Sequence, residues 1–217
     1  MGWFQFGAMQ KSRYAILLDG GFVTRKLRER LGKQPNAEHI VELCADIQAY
    51  SHLTDYELMR IYYYDAPPST EAVHLPVSGD VQELAVTDRA KHAQSLYSQL
   101  ELTDRFALRM GETQLTPTIW KLKPNRVKQL IKEPRKLVDT DFILDIGQKG
   151  VDIRIGLDMA RLALRDTVRA VAVVTADSDF VPAFKFVRRE GVKVILCTLG
   201  HKGARRELKA HADFVVS

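Results

Sequence analysis

Two aspartates, one residue apart, end the stretch "VAVVTADSDF". Val171–Thr175 is apolar or β-branched and predicts a buried strand, and Asp177 and Asp179 follow it directly. Carboxylates this close repel each other, because two unit charges about 4 Å apart interact by roughly 4 kcal/mol at an effective dielectric constant near 20. A divalent cation would offset that repulsion, and carboxylate oxygens with water suit Mg²⁺ or Mn²⁺ better than zinc. The pair therefore predicts a metal centre of the kind that acts on phosphate esters.

Two further aspartates occupy positions that could complete such a centre. Asp19 closes the apolar run in "YAILLDGG", and Asp152 falls in the first turn of the helix predicted for "QKGVDIRIGLDMARLAL". Asp158 lies about 240° further round that helix, so we rank it second to Asp152. Each acid also has a structural interpretation. Asp19 can form a turn before glycines, Asp152 can oppose the helix dipole, and Asp177 or Asp179 can be a helix N-cap.

Strands that are apolar throughout alternate with helical patterns along the chain. This alternation predicts a three-layer α/β sandwich with a mostly parallel central sheet. In such sheets ligands bind beyond the carboxyl ends of the strands, where the strand order reverses. If the strand ending at Asp19 lies beside Val171–Thr175, the acids share one crevice.

Two local predictions accompany this fold. Residues 69–86 are predicted to be a loop. The helix that contains Asp152 is predicted to carry its apolar face on Ile153, Leu157, Met159, Ala160 and Leu164.

Positive charge is concentrated in one segment of the chain. The 217 residues carry a formal charge of +5, whereas residues 121–136 ("KLKPNRVKQLIKEPRK") hold seven basic residues and one acid, which gives 7 − 1 = +6. We interpret residues 116–149 as a basic surface insertion in a single domain spanning 14–217, preceded by an arm at 1–13. The segment predicts phosphate contacts from its basic side chains, Lys121, Lys123, Arg126 and Lys128. An ordinary solvated basic face is the alternative, and Trp120 beside it can either stack on a base or pack.

Composition excludes several other classes of protein. Cys44 and Cys197 lie in apolar stretches without metal-ligand spacing, so we expect buried free thiols in a reducing compartment. No apolar run approaches the roughly 20 residues that span a membrane, and the first residues lack the pattern of a secretion signal. We therefore expect a cytoplasmic protein with no membrane partner, and self-association as a homodimer stays open.

Three stretches together resemble the NYN domains of the PIN-like nuclease superfamily, and within them the LabA-like bacterial branch. They are "LLDGG", "QKGVDIRIGLDMARLAL" and "VTADSDFVPAFKFVRREGVKVIL", whose order and spacing agree with the family over residues 14–216. The resemblance implies a PIN-like, Rossmann-like topology and a metal-dependent ribonuclease centre. It implies Asp19, Asp152, Asp177 and Asp179 as catalytic, metal-binding acids, and Lys149 and Ser178 as neighbours that bind substrate. Many relatives place an Asn shortly after the first Asp-Gly, where this chain has Gly21 and Phe22.

The sequence thus predicts an endoribonuclease that hydrolyses RNA, preferably single-stranded, with Mg²⁺ or Mn²⁺. An RNA-binding module of the same fold that cuts weakly or not at all is the first alternative. A phosphohydrolase of the aspartyl-phosphate type needs D-x-D after the first strand, where Asp19 is followed by Gly20 and Gly21. A dinucleotide site ranks last, since no G-x-G-x-x-G follows that strand.

Overall fold

A six-stranded sheet, parallel throughout, forms the centre of the protein. The computed structural model describes residues 11–217, apart from the side chains of residues 116–118, so residues 1–10 of the predicted arm lie outside the described residues. The strands are β1 (Ser12–Asp19), β2 (Tyr56–Asp65), β3 (Ala72–His74), β4 (Val81–Glu83), β5 (Phe106–Met110), β6 (Glu112–Leu122), β7 (Phe142–Lys149), β8 (Ala170–Val174), β9 (Lys193–Cys197) and β10 (Phe214–Val216). Their order in the sheet is β10-β9-β8-β1-β2-β5.

Helices cover both faces of this sheet. They are α1 (Gly20–Leu31), α2 (Ala37–Gln48), α3 (Asp88–Glu101), α4 (Pro124–Lys132), α5 (Val151–Leu164), α6 (Val181–Arg189) and α7 (Arg206–Ala210), with short 3-10 turns at Ser51–Leu53, Leu84–Val86, Asp139–Asp141 and Ser178–Phe180. Apolar residues of α1, α2 and α3 pack with one face, and those of α5, α6 and α7 pack with the other. The predicted three-layer α/β sandwich with a mostly parallel central sheet is confirmed.

The strand order reverses between β8 and β1. From β1 the chain adds β2 and β5 on one side, and then returns to add β8, β9 and β10 on the other. In β1, Ile16 and Leu18 face the first helical layer whereas Ala15 and Leu17 face the second, so the buried part of the strand, residues 14–18, is apolar throughout. The carboxyl ends of β1 and β8 therefore meet at a topological switch point. Neighbouring strands were the condition under which the acids would share one crevice.

Gly20 allows the chain to turn closely behind β1. A Cβ atom at this position would lie 2.6 Å from the carbonyl oxygen of Tyr64 and 2.8 Å from Cζ of Tyr63. Both tyrosines are fully buried, so neither can move aside. The close approach fixes the start of α1 against β2.

Gly20→Ala is therefore expected to lower the free energy of unfolding by about 1–3 kcal/mol, the cost of overpacking a closed site. Gly21→Ala is the matched control, because its Cβ would meet its nearest neighbour, Asp19 Oδ1, at an ordinary 3.6 Å. Urea denaturation of the two variants measures the difference. Equal midpoints would show that the contact behind β1 is not tight.

Two antiparallel hairpins lie outside the main sheet. The first joins β3 and β4 within residues 69–86, so the prediction of a loop there was wrong. Strands of three residues are too short to show an alternating pattern, which is why the sequence did not indicate them. The second joins β6 and β7, and α4 lies in the connection between them, within the predicted insertion at 116–149.

The buried face of α5 differs from the prediction. Met159 is buried as expected, but Ile153, Leu157 and Leu164 are 68%, 64% and 65% exposed. The helix instead buries a second stripe, which consists of Val151, Ile155, Asp158, Met159, Leu162 and Ala163. The helix carries apolar residues on two sides. Because the side that packs against the sheet also contains Asp158, hydrophobic periodicity indicated the other side as the buried one.

Cys44 and Cys197 are buried free thiols, as predicted. Burial raises the pKa of each thiol to about 12, so both stay protonated near neutral pH. Across residues 11–217 the structure contains no helix with the length and apolar character needed to cross a membrane.

Candidate active site

A threonine links the two aspartates at the switch point. Asp19 ends β1 and Thr175 follows β8, and the Thr175 hydroxyl donates to Asp19 Oδ2 over 3.0 Å. The backbone N–H of Asp177 donates to the same threonine oxygen over 3.2 Å. The other oxygen of Asp19 caps α1 by accepting from the N–H of Phe22 over 3.1 Å. Asp19 and Asp177 therefore lie at one rim of the sheet and are positioned by a shared side chain.

Asp177 and Asp179 begin the turn that leads into α6. Asp177 is the N-cap of the short 3-10 helix Ser178–Phe180, and its Oδ1 accepts from the N–H of Asp179 over 2.9 Å. Both carboxylates are exposed, and Ser178 between them is half-buried. One of the pair is thus a cap, as predicted, but of this 3-10 turn and not of α6, whose N-terminus has no side-chain cap. The second aspartate exceeds what the cap needs.

Asp152 lies in the first turn of α5, as predicted, and is exposed. Partial desolvation of its carboxyl group by the neighbouring residues raises its pKa first, and the charges of Asp19, Asp177 and Asp179 raise it further. The pKa of Asp19 is also raised, mainly by burial, and then by the charges of Asp65 and Asp177. Asp152 therefore lies close enough to Asp19, Asp177 and Asp179 for their charges to act on it.

Asp65 joins this group, and the sequence analysis missed it. It ends β2, the other neighbour of β1, and burial raises its pKa. Its Oδ1 accepts from the N–H of Ala66 over 2.8 Å and from the side-chain amide of Gln148 over 3.1 Å. The signal was present in "YYYDAPP", because an acid ends a buried strand there just as Asp19 does.

The donor chemistry of the rim suits a hard divalent cation. Among the side chains of residues 11–217, no three acids, histidines or cysteines are arranged closely enough to hold a metal ion by themselves. Mg²⁺, however, usually keeps several waters and binds through one or two carboxylates plus substrate phosphate. Asp19 and Asp177 could supply these one or two carboxylates, and a bound cation would offset the charges of neighbouring acids that help to raise the pKa values of Asp19 and Asp152.

The predicted phosphate-binding residues lie in two places. Lys149 is the last residue of β7, three positions before Asp152, and its side chain is exposed. The other four are near the distal end of the β6–β7 hairpin. Lys121 lies opposite Ile143, six residues of β7 away from Lys149, which is roughly 20 Å of extended chain. Phosphate contacts from this group stay a prediction.

Acids within the insertion neutralise part of its positive charge. Lys121 forms an ion pair with Asp145 at 2.7 Å, and Arg126 lies 3.6 Å from Asp141. Hydrogen bonds from the Arg135 guanidinium, together with the Val138 N–H, lower the pKa of Asp141 to about 2. Lys123 donates to the carbonyl of Thr140, while Lys128 is exposed on α4. The segment is therefore less basic in the fold than its sequence indicates.

A parallel α/β sheet with acids gathered at its switch point defines a nuclease-like domain. Residues 80–217 match the model of the NYN domain family, which is more than half of the chain, and the protein belongs to that family. The match contains Asp152, Asp177 and Asp179, whereas Asp19 and Asp65 precede it. The predicted family is confirmed, and its LabA-like branch stays a prediction.

A solved structure supports the fold over a larger part of the chain. The crystal structure of a protein of unknown function from Vibrio parahaemolyticus RIMD 2210633 aligns with a TM-score of 0.54 and 16% identity. The alignment covers 97% of this chain and 95% of that one, so it includes β1 and β2. At this identity it shows the fold alone. A search of curated proteins finds no match.

Proposed function

We propose that the protein is a metal-dependent endoribonuclease that hydrolyses phosphodiester bonds in single-stranded RNA at the rim formed by β1, β8 and α5. The observation that carries the proposal is the Thr175 bridge, which holds Asp19 and Asp177 together at the switch point. Family membership supports a nuclease in general terms. A protein that only bound RNA would gain nothing from clustered carboxylates facing phosphates.

Asp19 and Asp177 would hold one Mg²⁺ or Mn²⁺ ion, and Asp152 and Asp179 would contact it directly or through water. When bound, the ion lowers the pKa of a water and offsets the charge that develops on the phosphate. Thr175 keeps one oxygen of Asp19 oriented, and the Phe22 N–H fixes the other. We assign Asp152, whose pKa is raised, to accept the proton of the attacking water. Lys149 and Ser178 would bind substrate phosphate.

The test is incubation of the purified chain with end-labelled single-stranded RNA in Mn²⁺ or Mg²⁺, beside the same reaction in EDTA. We expect internal cleavage products with either metal and none with EDTA, since the carboxylates alone cannot activate water. Thermal melting with and without Mn²⁺ gives a second readout, because a bound ion raises the melting temperature with its concentration.

One finding favours the RNA-binding alternative, namely that no three ligands in the described residues are arranged to hold a metal. RNA binding that EDTA does not change, with no products and no Mn²⁺-dependent stabilisation, would select that alternative and contradict the nuclease.

A further inference from the structure

A long groove starts at the acidic rim and runs between α1, α3 and the β6–β7 hairpin. Its volume is about 1070 Å³, and Gly21, Asp65 and Gln148 line the end beside the acids. Trp120 and Lys123 line it far along the hairpin. Pockets for small ligands measure roughly 300–1,000 Å³, so this groove is larger than a single nucleotide needs.

The hairpin that forms one wall is fixed to the segment after β2 at two points. The Thr113 hydroxyl donates to the carbonyl of Pro67, and the Trp120 indole N–H donates to the carbonyl of His74 over 2.7 Å. The two positions lie opposite Gln148 and Leu144, four residues of β7 apart, which is about 13 Å of extended chain. The two contacts thus hold the hairpin against this segment along one wall of the groove.

The wall formed by α1 is cationic. Gly21, Thr24, Arg25 and Arg28 line the groove at the i, i+3, i+4, i+7 spacing of one helix face. The helix begins beside Asp19, so the two arginines that line the groove lie progressively further from the acids. Arg89 of α3 lines the groove as well. No carboxylate among the described side chains lies within ion-pair distance of these three arginines.

The opposite wall is apolar and aromatic. The hairpin contributes Trp120, Phe142, Ile143, Leu144 and Ile146. Trp120 is half-buried, and its hydrogen bond to His74 holds the indole against β3. Ile143 is exposed to solvent although it is large and apolar. One side of the groove therefore suits phosphates, and the other suits flat apolar rings.

We propose that this groove binds a single-stranded RNA segment, with its phosphates along Arg25 and Arg28 and its bases against the β6–β7 hairpin, where Trp120 stacks on one base. Only a single strand offers charge and exposed base faces on opposite sides, since a duplex buries its bases. The inference rests on the proposed function, because the acidic centre is one end of the groove. It places the path of the substrate in the groove. It assigns phosphate contacts to α1, in addition to those predicted for the basic segment at 121–136.

Binding is measured in EDTA, so that the result does not depend on cleavage. Fluorescence anisotropy of a labelled ten-nucleotide oligouridine RNA is followed with wild type, Trp120→Ala and the double variant Arg25→Ala/Arg28→Ala. We expect Trp120→Ala to weaken binding about tenfold, the effect of losing one stacked base. The double variant should bind more weakly and reduce the slope of log K against log salt concentration by about 1.4, since each phosphate contact contributes about 0.7 for single strands.

The control is Lys185→Ala/Arg189→Ala, which removes two exposed cations from α6 on the other face of the sheet and should leave affinity unchanged. Trp120→Phe keeps a ring without the indole N–H and should retain most of the affinity. If Trp120→Ala does not fold, Ile143→Glu tests the same wall with an exposed residue and should weaken binding.

Wild-type affinity in both the hairpin and the arginine variants, or an equal loss in the α6 control, would overturn the proposal, as would an equal effect of Trp120→Ala on duplex RNA. Normal groove binding without cleavage in Mn²⁺ would overturn only the nuclease function.

Discussion

Asp19→Asn is expected to reduce the rate of RNA cleavage at least about 100-fold while the protein stays folded, because several kcal/mol of charge stabilisation at the metal are lost. Asparagine retains a carbonyl oxygen that can accept from the Phe22 N–H, so the cap of α1 survives. What it loses is the negative charge at the switch point and the oxygen that accepts from the Thr175 hydroxyl. Asp177→Asn should behave in the same way, since asparagine also serves as an N-cap and can accept from the Asp179 N–H.

Asp166→Asn is the matched control for this substitution. Asp166 follows α5 at the end opposite Asp152, about 20 Å away along the helix. Its φ of 52° lies in the left-handed region, which asparagine adopts as readily as aspartate. Initial cleavage rates in saturating Mn²⁺, with circular dichroism of each variant, measure the effect. If Asp19→Asn and Asp177→Asn cut as fast as Asp166→Asn, the rim is not the catalytic centre.

RNA affinity in EDTA separates catalysis from anchoring in the same variants. Removing a negative charge near the phosphates should leave binding equal or tighter, because it reduces repulsion. Slower cleavage with unchanged or tighter binding identifies the carboxylates as catalytic. Slower cleavage that follows a parallel loss of binding would instead mean that the acids maintain the shape of the site.

The rim could be predicted because two simple patterns converge on it. Apolar runs that end in acids mark the carboxyl ends of buried parallel strands, and these ends gather at one edge of the sheet. Asp19 and Asp177 follow such runs, and the strands that carry them are neighbours. Asp65 satisfies the same rule, but the two prolines that follow it indicate a turn and obscure the acid at the end of the strand.

Pairing across the insertion could not be predicted from charge counts. The segment 121–136 is strongly basic in sequence. In the fold, Asp145 of β7 pairs with Lys121, and Asp141, which precedes β7, pairs with Arg126 and Arg135. The Lys121–Asp145 contact depends on the register of the hairpin, which starts with Glu112 opposite Lys149 and ends with Leu122 opposite Phe142. Register in a two-sided hairpin leaves a weak sequence signal. The groove along the hairpin was unpredictable for the same reason.

The orientation of α5 depends on a polar contact that periodicity does not detect. Asp158 accepts two hydrogen bonds from the Arg109 guanidinium of β5, over 2.7 and 2.8 Å, and one from the Tyr64 hydroxyl of β2 over 3.0 Å. Burial and the nearby Asp158 raise the pKa of Tyr64, so its hydroxyl stays a donor. The helix thus turns its aspartate inwards and leaves Ile153 and Leu157 in solvent. Asp152 faces the rim as a consequence of this orientation.

Asp158→Ala is accordingly expected to lower the free energy of unfolding by about 2–3 kcal/mol. It leaves the fully buried Tyr64 hydroxyl unpaired and removes the bidentate partner of Arg109. The Arg109 side chain is 37% exposed, so water recovers part of its loss and the cost stays below that of a fully buried ion pair. Urea denaturation of Asp158→Ala, Tyr64→Phe and the double variant should give a coupling energy of about 0.5–3 kcal/mol, because the two groups touch.

The exposed ion pair between Asp166 and Arg169 is the control for the more buried ion pair between Arg109 and Asp158. Asp166 is 64% exposed, and removing its charge should change stability by no more than about 0.5 kcal/mol. If Asp158→Ala costs no more than Asp166→Asn, the network does not fix α5, and another contact must set which apolar stripe the helix buries. If Asp158→Ala costs the expected amount, it should also slow cleavage moderately, because the helix that carries Asp152 loses its polar anchor to β2 and β5.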